Sequence, residues 1–377
     1  MENLSESVGR RNSMNLSFQT TGRLFESLFL SFVISVIAAI YATKFAIRTG
    51  LIDRPNAQPH KIHHRNVPYS GGIAIFATTI ILVSCFHRSL NQEIIGLIGA
   101  SGIVFAFALA DDYLNLNWRY KFSGQILAAV VLMITGTQTH LFEAETFRFI
   151  PGMIRPFCDY ALTLFWVVFI TNGYNLIDSA DGLVLGISSL GLGFLMIAAL
   201  DARQSALALL CSILLGSCVA LMLFNTYPAF LFMGDSGAQF LGFVLSAAAI
   251  LYTPPSRLQA QTWFLPILVL GIPIFDTVLV IISRYRKGLH FYTSGTDHTF
   301  HRLMKMGFSM QQSTIIMHGA EFALDVIAFF AISREASTAN LIFAMVILAG
   351  ILAIVFFEKE KLWTRIIQFN QESKNIP

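Results

Sequence analysis

Charged residues are scarce in this chain. They make up 12% of its 377 residues, against 55% hydrophobic residues, whereas charged side chains account for about a quarter of an ordinary soluble domain. The mean hydropathy of +0.64 and the 34 Phe residues agree with this deficit. The composition excludes an ordinary soluble globular protein and indicates a chain that lies largely within a lipid bilayer.

Cysteine is also rare. All four Cys residues fall in or beside apolar runs and show neither metal-ligand nor paired spacing. We therefore interpret them as small buried hydrophobic residues rather than disulfides or metal ligands. The four are Cys85, Cys158, Cys211 and Cys218.

No repeat, low-complexity tract or long linker divides the sequence into separate domains. The formal net charge is only +3, and no basic-aromatic patch suggests a nucleic-acid partner. The first 24 residues are polar and lack the layout of a secretory signal peptide. We expect a polar N-terminal tail over 1–24, a single multi-spanning membrane domain over 25–357 and a cytoplasmic C-terminal tail over 358–377.

Long apolar runs fill the central domain. A bilayer-spanning helix needs about 20 largely apolar residues, and shorter runs are tolerated within a bundle. The pattern predicts an all-α integral membrane protein, a polytopic bundle of about eleven transmembrane helices. The predicted spans are 27–47, 71–86, 94–110, 122–136, 158–176, 183–200, 205–224, 236–252, 263–283, 314–332 and 338–357.

The distribution of Lys and Arg between the loops predicts the orientation. With eleven spans and the N-terminus outside, the inside segments hold fifteen Lys and Arg residues and the outside segments hold nine. Positive residues favour the cytoplasmic side of a membrane. In this orientation the polar clusters at the span ends all fall on the cytoplasmic face.

Four polar residues spaced three apart stand between two apolar runs: Asn172, Asn175, Asp178 and Asp181. Polar side chains at a membrane edge are costly unless a cation or polar ligand meets them. Residues three apart are neighbours along a helix, and their carboxylate and amide oxygens suit Mg²⁺ with bound phosphate. A polar helix cap is the alternative interpretation.

Further carboxylates stand at other predicted span ends. Asp111 and Asp112 are adjacent and repel each other unless a cation relieves the repulsion. Lys121 follows them as a point charge suited to phosphate. Asp235 lies between glycines at the start of a span, where a helix N-terminus favours phosphate. Ordinary charged helix ends and caps are the alternatives.

Aromatic and basic residues near these carboxylates are further candidates for substrate contacts. Phe232, after Asn225 in the same loop, is suited to stacking on a nucleobase, with an interfacial aromatic side chain as the alternative. His298 and His301 are three residues apart, and Arg302 offers a bidentate fork for phosphate. Surface histidines are the alternative for this block.

Two weaker signals remain. Lys61 and His63 precede the pair Gly71-Gly72, which indicates a basic loop that folds back onto a helix start. Three acids lie inside predicted spans, where ionisable residues are functional candidates by default, although pairing within the bundle is equally compatible. The three are Asp276, Glu321 and Asp325.

Taken together, these residues resemble the polyprenyl-phosphate N-acetylhexosamine-1-phosphate transferases, a family that includes the phospho-N-acetylmuramoyl-pentapeptide translocases. The resemblance covers about residues 53–303. Its blocks, in chain order, are Lys61/His63 with Gly71-Gly72, Asp111-Asp112 with Lys121, Asn172/Asn175/Asp178/Asp181-Gly-Leu, Asn225 with Phe232-Met-Gly-Asp235, Pro273-Ile-Phe-Asp276 and His298/His301-Arg302.

The resemblance implies a reaction at the bacterial inner membrane. A UDP-N-acetylhexosamine and undecaprenyl phosphate give undecaprenyl-diphospho-sugar and UMP, with Mg²⁺ as cofactor and Mn²⁺ as a substitute. The His-x-x-His-Arg block and the span count are more similar to the N-acetylglucosamine-1-phosphate group. We therefore expect UDP-GlcNAc as donor and a lipid-linked primer of O-antigen, teichoic acid or another envelope glycan as product. A homodimer is compatible with this family.

The resemblance also implies roles for individual residues. Asp235 is expected to bind the metal with Asn175 as a second ligand. Asp111 is expected to deprotonate or orient the lipid phosphate, with Asp112 and Asp178 supporting the catalytic centre. The expected substrate contacts are Lys121, Arg302, His298 and His301 for phosphates, and Asp181, Asn225 and Phe232 for uridine.

Two positions depart from the family pattern. Ser179 stands where the Asp-Gly-x-Asp-Gly core has its first glycine, and Phe300 replaces the middle His of the His-x-His-His block. The carboxylates are kept, so we expect activity to be kept. The alternatives are the muramoyl-pentapeptide translocase and, more distantly, a secondary transporter. A transporter predicts matching halves and acids near the membrane midplane.

Overall fold

The computed structural model describes residues 2–54, 66–253, 263–290 and 295–359, with side chains from Thr21 onward. Lys61, His63 and the segment 360–377 lie outside the described residues. The helices are α1 Glu2–Thr49, α2 Gly71–Cys85, α3 Gln92–Leu114, α4 Trp118–Ile134, α5 Arg155–Ile177, α6 Leu183–Asp201, α7 Ser205–Asn225, α8 Gly234–Leu251, α9 Phe264–Val269, α10 Gly271–Arg286, α11 Thr299–Lys305, α12 Met310–Ile332 and α13 Ala336–Glu358.

The remaining regular structure is small. Short 3₁₀ helices cover His87–Ser89 and Glu145–Phe147. Strand β1 (Ile52–Asp53) pairs antiparallel with β2 (Val67–Pro68). The strands lie between α1 and α2, on the same side of the bundle as the polar helix ends described below.

The prediction of an all-α membrane protein is confirmed. Each of the eleven predicted spans overlaps a helix. Among the described residues, eight helices are long and apolar enough to cross a membrane; α2, α4 and the α9–α10 pair are shorter. The count of eleven crossings and the orientation stay predictions. The eight long helices are α1 (from Thr21), α3, α5, α6, α7, α8, α12 and α13.

Two predicted segments differ in detail from the structure. The span over 263–283 was expected to be one helix, but it is interrupted at Leu270, and α10 begins at Gly271. Pro273 lies in the first turn of α10, where its missing N–H costs little. At the N-terminus, α1 continues the helical backbone back to Glu2 through the segment expected to be a tail.

Helix α8 forms the centre of the bundle and carries Asp235 in its first turn. It is the most buried of the eight long helices, and α13 is the least buried. Phe240 and Phe243 are fully buried. Gly242 lets α5 approach closely, because a Cβ there would lie 2.7 Å from the Cβ of Tyr174. The first turn of α8 is therefore held by packing along the whole helix.

The Gly71-Gly72 pair brings the start of α2 against the start of α8. Gly71 N–H donates to Phe232 O at 3.0 Å, and Gly72 N–H donates to Met233 O at 3.1 Å. A Cβ at Gly72 would lie 2.4 Å from Ser236 Oγ. Glycine is needed for this backbone contact, which fixes the segment that leads into α8.

Candidate active site

Four helix ends meet at one side of the bundle around a lysine held between two carboxylates. Lys121 Nζ, from the first turn of α4, donates to Asp111 Oδ2 at 2.8 Å and to Asp235 Oδ2 at 2.7 Å. Asn175 Nδ2, near the end of α5, donates to Asp235 Oδ1 at 2.9 Å. The structure thus brings together four residues predicted from three separate sequence blocks.

This cluster is partly exposed. The side chains of Lys121 and Asp235 are 24% and 28% exposed, and that of Asp111 is 11% exposed. Asp111 Oδ1 is buried and accepts no hydrogen bond. A buried carboxylate oxygen without a partner is costly, so this atom is suited to receive a ligand.

Asp112 has a different place from its neighbour. Its two carboxylate oxygens accept the backbone N–H groups of Asp235 at 2.8 Å and Ser236 at 3.0 Å. Gly234 has a φ of +68°, and a Cβ there would lie 2.9 Å from Asp112 Oδ2. Asp112 therefore caps α8 and positions Asp235. Its expected support of the catalytic centre therefore takes the form of positioning Asp235, and a direct catalytic role stays a prediction.

An amide network supports the cluster from within the bundle. Gln125 Nε2 donates to Gln239 Oε1 at 2.9 Å, and Asn172 Nδ2 donates to Gln125 Oε1 at 2.7 Å. Gln239 Nε2 reaches Asp235 Oδ2 at 3.5 Å. Sequence reasoning found Asn172 but missed both glutamines, whose only signal is an uncharged polar residue within an apolar run.

Two residues predicted to contact the nucleotide, Asp181 and Asn225, lie beside the cluster and bind neighbouring backbone. Asp181 Oδ2 accepts Ala229 N–H at 3.0 Å. Asn225 is 3% exposed, and its side chain accepts Gly182 N–H and donates to Leu231 O, at 3.0 and 2.9 Å. Asn225 thus braces the loop before α8. Direct contact of either residue with uridine stays a prediction.

Asp178 lies just after the end of α5 and is half-buried. Burial, followed by the negative charges of Asp235 and Asp112, raises its pKa well above the ordinary value. A positive ligand in the cluster would oppose this effect. Asp178 is therefore an acid whose protonation responds to the charge bound beside it.

Phe232 pairs with a residue that sequence reasoning did not single out. It forms a parallel bridge with Tyr69, and their ring centroids are 6.3 Å apart. Phe232 is half-buried, so part of the side chain is left exposed. The Tyr69 hydroxyl hydrogen-bonds Asp53, and burial followed by that carboxylate raises the pKa of Tyr69.

The histidine block is anchored by Asp276. His298 Nδ1 bonds Asp276 Oδ2 at 2.8 Å, and Thr299 N–H donates to Asp276 Oδ1 at 2.6 Å. His301 is 9% exposed, and its Nδ1 has no partner. Burial, followed by the charge of His298, lowers the pKa of His301 to about 4. His301 is therefore neutral at neutral pH.

The Arg302 guanidinium is occupied by contacts within the protein. Its guanidinium donates to Asp297 O, Phe357 O and Glu358 Oε1, at 2.8, 2.6 and 2.8 Å. Only 8% of the side chain is exposed. The structure gives Arg302 the role of tying α11 to the end of α13, so we leave it out of the proposed phosphate contacts.

The donor set fits a magnesium ion that also binds substrate phosphate. Mg²⁺ typically takes one or two protein carboxylates and completes its shell with water and phosphate. Asp235 supplies a carboxylate, and Asn175, whose Nδ2 donates to Asp235 Oδ1, also carries an amide oxygen; nearby, Asp111 Oδ1 lacks a partner. Among the described residues, no three His, Cys, Asp or Glu side chains form a metal cluster.

The fold and the site define a multi-pass helical membrane protein with an acidic, lysine-bridged centre at its helix ends. Such a centre suits chemistry on phosphate groups. The family model described as "Glycosyl transferase family 4" matches residues 94–253, and the relatives described next extend over most of the chain. The protein belongs to this family, and the predicted resemblance is confirmed.

Curated relatives carry consistent names. The probable undecaprenyl-phosphate N-acetylglucosaminyl 1-phosphate transferase of Bacillus subtilis (strain 168) is 31% identical over 310 residues, 79% of this chain and 83% of the relative. The undecaprenyl-phosphate alpha-N-acetylglucosaminyl 1-phosphate transferase of Yersinia pestis is 27% identical over 81% of this chain and 82% of the relative. The protein of that name from Escherichia coli (strain K12) is 26% identical over 76% and 78%.

Proposed function

We propose that this protein transfers N-acetylglucosamine-1-phosphate from UDP-GlcNAc to undecaprenyl phosphate and releases UMP. The observation that carries the proposal is the Lys121 bridge between Asp111 and Asp235 at the end of an apolar bundle. The names of the relatives support the two substrates. We place the reaction at the cytoplasmic face of a bacterial inner membrane, where a UDP-sugar and a lipid phosphate meet.

The chemistry is a phosphoryl transfer. An oxygen of the lipid phosphate forms a bond to the β-phosphorus of the UDP-sugar, and the bond from that phosphorus to the bridging oxygen breaks. UMP leaves with the electron pair. Positioning and charge stabilisation dominate such reactions, so no residue has to form a covalent bond.

The chain's own residues supply this positioning. Lys121 offers a positive charge to the phosphate oxygens, and Asp111 Oδ1 is free to orient the attacking lipid phosphate. Mg²⁺, when bound, neutralises the diphosphate charge, and Asp235 with Asn175 would hold it. Asp112 keeps Asp235 in place through the first turn of α8. Phe232 and the loop over 226–233 form the proposed nucleotide side.

A donor assay tests the proposed function. Purified protein in detergent would be given undecaprenyl phosphate and a panel of UDP-sugars, with UMP release followed with and without Mg²⁺. We expect UMP only with UDP-GlcNAc and only with a divalent cation. Turnover only with UDP-MurNAc-pentapeptide would assign the translocase instead, and no UMP with any donor would refute the proposal.

Phe232→Ala tests the nucleotide side. Base–aromatic stacking contributes about 1–3 kcal/mol, so we expect the KM for the UDP-sugar to rise roughly tenfold while kcat changes little. Phe230→Ala is the matched control, because Phe230 lies in the same loop with 68% of its surface exposed. Equal effects of the two substitutions would remove the stacking role.

Asp276→Asn tests whether the histidine block is held in place for catalysis. The amide cannot accept from both His298 and Thr299 as the carboxylate does. Partners that orient a metal-ligating histidine are worth about 10–100-fold in activity. By analogy we expect kcat to fall by about that factor, with little change in donor KM. The control is Asp159→Asn. Asp159 is also a buried acid, but it lies in the first turns of α5, at the end of that helix far from Asn175. A kcat unchanged by Asp276→Asn would contradict the role.

A further inference from the structure

Two short backbone segments lie side by side where the loop before α8 meets the start of α2. Phe232 N–H donates to Pro68 O at 3.0 Å, and Phe232 O accepts Gly71 N–H at 3.0 Å. Tyr69, between these two partners in the chain, forms a parallel bridge with Phe232. The backbone of Phe232 is therefore held on both sides by the segment that carries Tyr69.

The side chains of Tyr69 and Phe232 also form a ring pair. Their ring centroids are 6.3 Å apart, and the ring planes are tilted by 44°. Aromatic side chains attract each other in tilted or offset arrangements at such separations. The pair therefore restricts the rotation of the Phe232 side chain, and Tyr69 does not cover the Phe232 ring face to face.

Tyr69 is itself anchored through both its backbone and its hydroxyl. Its backbone N–H donates to Leu51 O at 3.1 Å, and its phenol hydrogen-bonds the side chain of Asp53. Asp53 is 6% exposed and lies in β1, which pairs with the strand that directly precedes Tyr69. Burial, followed by the negative charge of Asp53, raises the pKa of Tyr69, so the phenol is neutral at neutral pH and can donate to the carboxylate.

This ring pair lies beside the acidic centre of the site. The negative charges of Asp112 and Asp235 both act on the Tyr69 phenol, and Phe232 precedes Asp235 by three residues. Tyr69 and Phe232 are both half-buried. The anchored tyrosine is therefore placed where the UDP-sugar is proposed to bind, although sequence reasoning did not single it out.

The anchor has a consequence for nucleotide binding. A side chain that becomes ordered only when its ligand binds loses conformational freedom at that moment, and this loss weakens binding. We propose that Tyr69 is a positioning residue, which holds the Phe232 ring in place to stack on the uracil base of the donor. The inference rests on the proposed transferase function and makes Tyr69 a determinant of donor affinity rather than of the chemical step.

Nucleotide affinity and turnover of the full-length protein in detergent test this role. The Kd for UMP would be measured by calorimetry in the presence of Mg²⁺, and the KM for UDP-GlcNAc and kcat would be taken from UMP release. We expect Tyr69→Ala to raise both the Kd and the KM by roughly fivefold, the factor for about 1 kcal/mol of ordering cost. We expect little change in kcat, whereas a general structural defect would lower it.

Further substitutions separate positioning from a direct contact. Because Tyr69 acts through Phe232, Tyr69→Ala should have no further effect on UMP affinity in a protein that already carries Phe232→Ala. Tyr69→Phe keeps the ring, loses only the bond to Asp53, and should raise the UMP Kd by roughly twofold. Tyr113→Phe is its matched control. The Tyr113 hydroxyl shares a hydrogen bond with Thr49 Oγ1 at 2.8 Å, and its loss should leave UMP affinity unchanged.

Three results would contradict the inference. The first is an unchanged UMP Kd in Tyr69→Ala, or in Tyr69→Phe if the alanine variant does not fold. The second is an effect of Tyr69→Ala that persists in the Phe232→Ala background, and the third is a fall in kcat at constant KM. Each of these leaves the transferase function intact, whereas an unaltered protein that neither binds UMP nor releases it would refute the proposed function as well.

Discussion

Asp235→Asn is expected to abolish UMP release while leaving the fold intact. The substitution keeps the side-chain shape but removes the charge that faces Lys121 at 2.7 Å and Asn175 at 2.9 Å. It would also remove the main carboxylate proposed to hold Mg²⁺. Loss of one group that stabilises transition-state charge typically costs about 10²–10³ in kcat, and we expect at least this factor.

The controls for Asp235→Asn separate chemistry from folding. Because Asp235 is 28% exposed and its backbone is capped by Asp112, the melting temperature should change by little. Asp201→Asn, at the exposed opposite end of α6, should keep normal turnover. Near-normal UMP release by Asp235→Asn at saturating Mg²⁺ would refute the metal-binding assignment.

Asp112→Asn is expected to damage both stability and catalysis, which distinguishes a cap from a catalytic base. The amide offers one acceptor where the carboxylate offers two, so it cannot accept from both Asp235 and Ser236 as Asp112 does. Loss of a helix cap costs about 1 kcal/mol. A displacement of about 1 Å in a catalytic group can cost on the order of 10²-fold in rate, so we expect kcat to fall by a factor of that order.

Asn91→Ala is the matched control for this substitution. Asn91 caps α3 at the opposite end of the bundle by accepting Ile94 N–H at 3.2 Å. It should lower the melting temperature similarly but leave kcat unchanged. If Asp112→Asn kept the melting temperature of the unaltered protein and lost only activity, the role of a cap would be wrong and a catalytic role would be favoured.

Much of the fold follows from local sequence. The apolar runs predict the helices because a bilayer leaves no alternative partner for backbone N–H and C=O groups. The interruption at Leu270 has local signals in Gly271 and Pro273, because a proline within a helix breaks it. The partner of the freed backbone has no local signal: Glu321, 49 residues away, supplies the acceptor for Ile272 N–H. Sequence windows do not contain such a contact.

The candidate site, like the fold, was predicted from local sequence only in part. The pattern of acids and amides at span ends indicated Asp111, Asn175 and Asp235, and Lys121 was expected to hold phosphate. Sequence spacing did not reveal that Lys121 bridges two carboxylates. Arg302 was expected to offer a bidentate fork to phosphate, but its guanidinium donates to Glu358, 56 residues away.

The sequence by itself determined that this protein is a helical membrane protein with polar groups gathered at the span ends. Composition and the length of apolar runs fix these properties without reference to distant contacts. Only the tertiary structure decided which of the two adjacent acids binds Lys121 and which one caps α8. Neighbouring residues on a helix point about 100° apart, so Asp111 faces Lys121 while Asp112 faces the first turn of α8.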